Sequence, residues 1–264
     1  MKQFDFGQNW TQFANKAMSK SKADKARKDF FSLLDEIVLA DRWFLDIGFG
    51  QGLSMMCAAE LGAQVVGLDI NKKNLDALLL TAKWFPTVEQ NKMVIQFGSI
   101  LSKTVSTELA QLRPRGYDVI HAWGVLHHTG NMRMALRACT KLLKPGGYLI
   151  VSIYNHHWSS PIWRVIKRFY CHSPNVTKKL IVYCMYPIIW IAKLIVTGQS
   201  PSRKERGMDF FTDVVDWVGG YPYEYASIER FNRMCHEESL TPVRTIPANV
   251  PTGCNEFIFR KTHS

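Results

Sequence analysis

Acidic residues are missing from a long central stretch of this 264-residue chain. Val119 to Lys204 holds no Asp or Glu, although twelve of the 33 lysines and arginines lie inside it. All 22 acidic residues lie outside, so the formal charge of +11 is regional. Such a surplus points to one anionic surface or ligand. No C-x-x-C occurs among the six cysteines, which argues against structural zinc and against a disulfide framework. Cys57, Cys139 and Cys235 fall in helical patterns, where a thiol packs as a small hydrophobe. No Walker sequence G-x-x-x-x-G-K-[ST] is present, which removes the usual nucleoside triphosphatases. Met1–Trp10 lacks the apolar core of a secretory signal. The expectation is therefore a reduced, cytoplasmic protein. The longest uncharged apolar run, Leu180–Ala192, contains Pro187 and stops at Lys193, short of the roughly 20 residues that span a bilayer. A membrane-crossing helix is accordingly not expected.

What is present centres on Trp43-Phe44-Leu45-Asp46-Ile47-Gly48-Phe49-Gly50-Gln51-Gly52. An apolar run ends in an acid and turns through three alternating glycines into a helical pattern. Glycine tolerates the sharp reversal and lets a ligand approach the backbone. The helix that follows aims its first N–H groups and the positive end of its dipole at that ligand. A dinucleotide fingerprint would need a third glycine at Leu53, where none stands. Gln64–Asp69 reads as a second buried strand ending in an acid. In a doubly wound sheet that carboxylate reaches the first turn and can accept from ribose hydroxyls. Helix 71–85, ended by Pro86, strand 93–97, strand Tyr117–Trp123 and strand Tyr148–Tyr154 after Lys144-Pro145-Gly146-Gly147 continue the alternation. Ala226–Glu238 reads as a helix, followed by strands Val243–Ile246 and Asn255–Arg260.

The phrases "DIGFGQG", "YDVIHAWGVLHHTG" and "LLKPGGYLIVSIYN" stand in order at ordinary loop spacings. Together they resemble the class I S-adenosylmethionine-dependent methyltransferases, in particular their quinone- and small-molecule-methylating branch. The resemblance implies a Rossmann-like, doubly wound α/β fold of seven strands, mostly parallel with the last strand antiparallel, and a helical insertion after strand five. It implies S-adenosylmethionine as cofactor, held by Asp46, Gly48, Gly50, Gly52, Asp69, Ile70, Ser99, Ile100 and Trp123. Relatives commonly carry an aspartate where Ser99 stands, so a hydroxyl replaces a carboxylate beside the adenine amine. Members of the class often fold an N-terminal segment over the cofactor, which gives Trp10 either an aromatic contact there or a plain packing role. The implied divisions are a helical lid (1–40), a cofactor-binding core (41–155), a cap or insertion (156–204) and a substrate-side element with the final strand pair (205–264).

The insertion carries two readings. At 100° per residue, Ile162, Trp163, Val165, Ile166, Phe169 and Tyr170 share one face of a helix that starts at Ser159-Ser160-Pro161, and Arg164, Lys167 and Arg168 share the other. It is either a cap whose apolar face is buried, or a monotopic patch on an anionic membrane with Trp163, Tyr170 and Trp190 at headgroup level. Nucleic acid is a poor partner, since Leu180–Gly198 contains a single charge.

Ligands in open α/β sheets sit beyond the carboxyl ends of the strands. The loops after strands four and five hold no carboxylate there; they hold His127, His128, Tyr154, His156 and His157. Histidine takes a hydroxyl proton near neutrality. His127 or His128 is thus the candidate base for O-methylation of a small, apolar or lipid-linked acceptor, with Tyr154 beside it and Asp209, Asp213 or Asp216 as orienting acid. The bland reading is a histidine that merely caps a turn. The histidine pairs lack a carboxylate or thiolate partner, and no metal site is expected. A second function class is a cofactor-binding or degenerate scaffold that docks on a membrane surface or a partner through its basic-apolar insertion.

Overall fold

The computed structural model describes residues 18–198 and 210–262; the side chains of Thr197, Thr212 and Asp213 are not described. Trp10 and Asp209 lie outside the described residues. In chain order the elements are α1 (Lys20–Leu34), β1 (Trp43–Ile47), α2 (Leu53–Glu60), β2 (Gln64–Asp69), α3 (Asn74–Ala82), β3 (Val94–Phe97), α4 (Lys103–Leu112), β4 (Tyr117–Trp123), α5 (Met132–Leu142), β5 (Leu143–Tyr154), α6 (Ser160–His172), α7 (Asn175–Thr197), α8 (Phe210–Gly219), α9 (Ile228–Glu237), β6 (Leu240–Ile246) and β7 (Cys254–Lys261).

The seven strands form one sheet in the order β3-β2-β1-β4-β5-β7-β6. The first five run parallel, and β7 enters antiparallel between β5 and β6. Central strands are buried on both faces, which is why β1, β2 and β4 are mostly apolar and do not alternate with polar residues. On one face Phe44, Val119, Ile150 and Ile258 pack against Phe30 and Leu34 of α1, Met55 and Met56 of α2, and Leu78 of α3. On the other, Leu45, Ile120, Leu149 and Phe259 pack against Leu109, Leu136, Cys139 and Phe231. Chain order reverses between β1 and β4, and the crevice at their carboxyl ends is the topological switch point. Side-chain oxygens of Ser19, Ser102, Asn131 and Ser227 cap α1, α4, α5 and α9.

Strand β5 starts at Leu143, five residues before its expected start. The Lys144–Gly147 stretch stays extended but bulges, so Tyr117 pairs with Leu143 and Val119 with Tyr148. A Cβ on Gly147 would come within 2.9 Å of the Asp118 carbonyl, so glycine is what permits the close approach.

The insertion departs most from expectation. On α6 the face assignment is reversed in part: Lys167 is fully buried, while Ile162, Val165 and Phe169 are exposed (54%, 68% and 61%). Tyr170 is buried too, so it does not reach the headgroup level imagined for it. Helix periodicity was right, but α8 and the chain after it offer aromatic rings and carbonyls that take the lysine inward. Helix α7 runs on through Pro187. Proline there forfeits the bond to the Tyr183 carbonyl, on a residue that is itself exposed. The thirteen-residue limit read from the sequence therefore fails: Asn175–Val196 is long and apolar enough to cross a membrane by length and composition. Yet one stripe of it, Ile181, Val182, Met185, Tyr186 and Ile189, packs with Tyr170, Val214 and Val218. Its opposite stripe, including Val176, Leu180, Tyr183, Ile191 and Ile195, is exposed.

Phe231 is the hinge of the second core face, with its ring 4.9 Å from that of Phe257. Phe231→Ala is expected to cost about 3–5 kcal/mol of stability, read as a lower urea midpoint at unchanged slope.

Candidate functional site at the switch point

The glycine turn has the geometry its sequence implies. Gly48, Gly50 and Gly52 all have positive φ (70°, 54° and 74°). A Cβ at Gly52 would lie 1.9 Å from Leu78 Cδ1, and one at Gly48 would lie 2.4 Å from a Val125 methyl. Only glycine fits at either place. The Gly48 contact joins two halves of the site, because Val125 lies two residues before His127 in the loop after β4. Gly52 starts α2 with no side-chain cap, leaving its first-turn amides without a side-chain acceptor.

Asp69 closes the turn from the side. Its two oxygens accept from the amides of Gly50 (3.0 Å) and Asn71 (2.8 Å). Burial pushes its carboxyl above the ordinary range, against the pull of the hydrogen bonds from Asn71, Gly50 and the Asn74 side chain. Gln51 Oε1 and Asn74 Oδ1 are buried oxygens without a hydrogen-bond partner at this turn. Unsatisfied acceptors of this kind mark where a donor-bearing ligand fits. Neither residue is apparent as a candidate in the sequence, because a lone amide carries no periodic signal.

Asp46 has a different neighbour from the one expected. Its Oδ1 stands 2.8 Å from His121 Nδ1, and both side chains are buried. The register pairs Asp46 with His121 directly. The imidazole lies between Phe44 and Trp123, with the Trp123 ring parallel to it at 5.7 Å. His121 was missed, since strand pairing brings it to Asp46 and sequence spacing does not. Trp123 keeps about a third of its surface open at the strand end. Ile70 is exposed after β2, whereas Ile100 is buried in the core, leaving its main chain rather than its side chain for any ligand. Ser99 Oγ accepts from the Leu101 amide.

The histidines after β4 form the second half. The segment Leu126–His128 is a short 3-10 turn, and both imidazoles are buried. The Tyr154 amide donates to His127 Nδ1 at 3.3 Å, which puts the His127 proton on Nε2. His128 is held the opposite way: its Nδ1–H donates to the Pro222 carbonyl at 2.6 Å, leaving the Nε2 lone pair as its basic position. Backbone groups are the partners at both Nδ1 atoms. Tyr154 packs its ring 4.1 Å from His127 and 5.0 Å from Tyr223. The Glu224 amide donates to the His127 carbonyl, while its carboxylate accepts from the Met132 amide at the start of α5.

Electrostatics here follow burial. Desolvation holds His128 down to about 4, with Lys167 acting in the same direction and the Pro222 hydrogen bond opposing. Desolvation, then His128 and Lys167, push His127 well below its ordinary value. Lys167 is itself pushed down to about 7 by burial, with Asp216 among the groups resisting. Among the described residues no group of three or more His, Cys, Asp or Glu is arranged to hold a metal.

The two histidines bind a proton more readily unfolded than folded, so the unfolded state gains protons first as the pH falls. Stability is therefore full above about pH 6.5 and declines toward pH 4, a shift of that size being worth on the order of 3 kcal/mol. Urea midpoints measured between pH 7 and pH 4 should fall, and more shallowly in His128→Asn.

Residues 21–180 match the family model described as a methyltransferase domain. Among curated proteins, the ubiquinone biosynthesis O-methyltransferase of Nitrosospira multiformis is 34% identical over 128 residues, which is 48% of this chain and 49% of that one. Its counterpart in Vibrio atlanticus is 31% identical over 124 residues, 46% of this chain and 47% of the relative. This chain thus spans about half the length of the curated relatives it matches. Two solved structures share the fold. One is an O-methyltransferase family protein from Burkholderia thailandensis, with TM-score 0.55, 11% identity and coverage of 91% of this chain and 57% of that one. The other is magnesium protoporphyrin IX methyltransferase from Synechocystis PCC 6803 with bound SAH, with TM-score 0.52, 14% identity and coverage of 98% and 89%. The chain belongs to the methyltransferase domain family, and its fold is that of the class I S-adenosylmethionine-dependent methyltransferases.

Proposed function

We propose that the chain methylates a hydroxyl on a small, apolar or lipid-linked acceptor, with S-adenosylmethionine as donor and His128 as base. The cofactor fits the turn: three positive-φ glycines leave the backbone open, uncapped α2 amides face it, and Gln51 and Asn74 hold unpaired oxygens beside it. Asp69 is placed to accept from ribose hydroxyls, while Ile70 and Trp123 give apolar walls and Ser99 the adenine edge. Asp46 acts through His121, fixing the strand end below Trp123. When bound, the cofactor supplies an electrophilic methyl on a sulfonium.

One observation carries the choice of base: the Pro222 carbonyl pins the His128 proton on Nδ1. His128 can take the acceptor's hydroxyl proton at Nε2, and the Pro222 bond then steadies the imidazolium. His127 is set the other way, its Nδ1 lone pair engaged by the Tyr154 amide, so it supports the loop instead. Tyr154, Trp217 and Tyr223 surround the pair with aromatic surface that excludes water. Alignment of donor and acceptor in such a site is worth about 7–11 kcal/mol. The curated relatives are named as O-methyltransferases of ubiquinone biosynthesis, which supports O-methylation of a quinone-like, apolar acceptor.

The exposed stripe of α6 and α7 favours a second reading that is compatible with the first: the enzyme docks on an anionic membrane surface. Ile162, Val165 and Phe169 are exposed, as is the outer stripe of α7, and Arg168, Lys178, Lys179 and Lys193 belong to the same acid-free stretch. One-sided packing suits a helix lying in the interface plane better than one crossing it.

Calorimetry should show binding of S-adenosylmethionine or its demethylated product; no heat with either sinks the enzyme reading and leaves the scaffold one. His128→Ala is expected to lower turnover of a phenolic test acceptor about 100-fold or more, with His127→Ala affecting stability more than chemistry. Co-sedimentation with phosphatidylglycerol vesicles should weaken with salt and be lost in a Val165→Asp/Phe169→Asp variant. Wild-type protein that stays in the supernatant at low salt refutes docking.

A further inference from the structure

Lys167 is a fully buried cation in the molecule, and nothing in methyl transfer by itself calls for it. It sits two turns into α6, inside an aromatic box: its ammonium lies 4.2 Å from the Trp217 ring centroid, 4.9 Å from Tyr223 and 5.9 Å from Tyr154. It donates to the Trp217 carbonyl. On the same helix Arg164 Nε donates to the Tyr223 carbonyl and Cys171 to the Gly219 carbonyl, so α6 is tied to segment 217–223 at three places. That segment also contains Pro222, whose carbonyl accepts the hydrogen bond from His128 Nδ1–H.

The approach of Lys167 to His128 has a geometric cause. A carbon added at Gly220 would stand 3.1 Å from His128 Cε1 and 3.6 Å from Lys167 Nζ. The two groups therefore flank the space of one missing side chain, with little between them to screen charge. The other groups that face the ammonium are His127 from the loop after β4, Tyr154 from β5, Tyr223, Cys171 on α6, Asp216 on α8 and Cys254 on β7. Asp216 supplies the one carboxylate among them.

We infer that Lys167 is a positioning residue: its ammonium, held across Gly220 from His128, keeps that imidazole in the neutral, proton-accepting form and the 217–223 segment in the place that orients it. This rests on His128 being the base, and it adds a role that no part of the family likeness assigns. A positive charge next to the imidazole disfavours a second one. Burial is the larger force holding His128 neutral, and the ammonium adds to it. Without it, protonation comes earlier, and the basic position is blocked over a wider range.

The experiment is an NMR titration of the His128 Cε1–H resonance, assigned with His128→Asn, beside the pH profile of kcat/KM. In wild type, His128 should titrate about two units below an ordinary histidine, in line with the value of about 4. Lys167→Met and Lys167→Gln should raise that midpoint by roughly one unit or more, and Lys167→Arg, which keeps the charge, should restore it. The acidic limb of kcat/KM should move by the same amount in the same variants. A midpoint unchanged in both neutral variants overturns the inference. So does a wild-type His128 that titrates in the ordinary range, an outcome that decides the matter even if the neutral variants fail to fold. A midpoint that shifts while the limb stays put supports the coupling and removes His128 as base, so the two failures are distinguishable.

Discussion

The contact on which the site depends is a missing carbon. Gly48 has no Cβ, and the methyls of Val125 occupy the space that one would fill. The loop after β4 can therefore lie directly on the turn after β1, at Val125, two residues before His127. Any other residue at position 48 would push the two loops apart, whatever its chemistry. The sheet makes this contact possible by placing β1 and β4 side by side with their connections leaving toward opposite faces.

Below that contact the polar groups are arranged to hold, not to react. Asp69 accepts from Gly50 and Asn71, and Asp46 pairs with His121 in a stack that ends at Trp123. Each carboxylate is buried, and each meets its desolvation cost with hydrogen bonds from neighbouring strands or turns. Above it, His127 and His128 share a buried wall yet face opposite hydrogen-bond environments, one accepting at Nδ1 and the other donating there. Two adjacent residues of one type thereby come to differ in tautomer. That difference, more than their proximity, is what the proposed choice of His128 as base rests on.

The insertion shows how charge and apolarity exchange places when a protein supplies the right lining. Lys167 is drawn into a box of Trp217, Tyr223 and Tyr154, while Val165 and Phe169 of the same helix are left outside. An ammonium against aromatic faces recovers part of the hydration it loses. The apolar residues left exposed on α6 and α7 lie in a stretch free of acids, which is what the proposed docking rests on.

Much of the fold was legible in the chain. Alternating buried runs and helical patterns gave the parallel sheet, and Gly48, Gly50, Gly52 and Asp69 marked the turn, because these features depend on local periodicity and on φ values that only glycine adopts freely. The partner of Asp46, the two tautomers at 127 and 128, and the burial of Lys167 were not legible. Each depends on a residue well separated along the chain: His121 for Asp46, Tyr154 for His127, Pro222 for His128, and Trp217 for Lys167. A helical wheel ranks residues by their own polarity and sees nothing of what packs against them. The sequence by itself determined which segments become strands, turns and helices, since that is set by near neighbours along the chain. Only tertiary structure decided which polar groups are neutral, charged, covered or open, since those follow from desolvation and from partners that folding alone brings near.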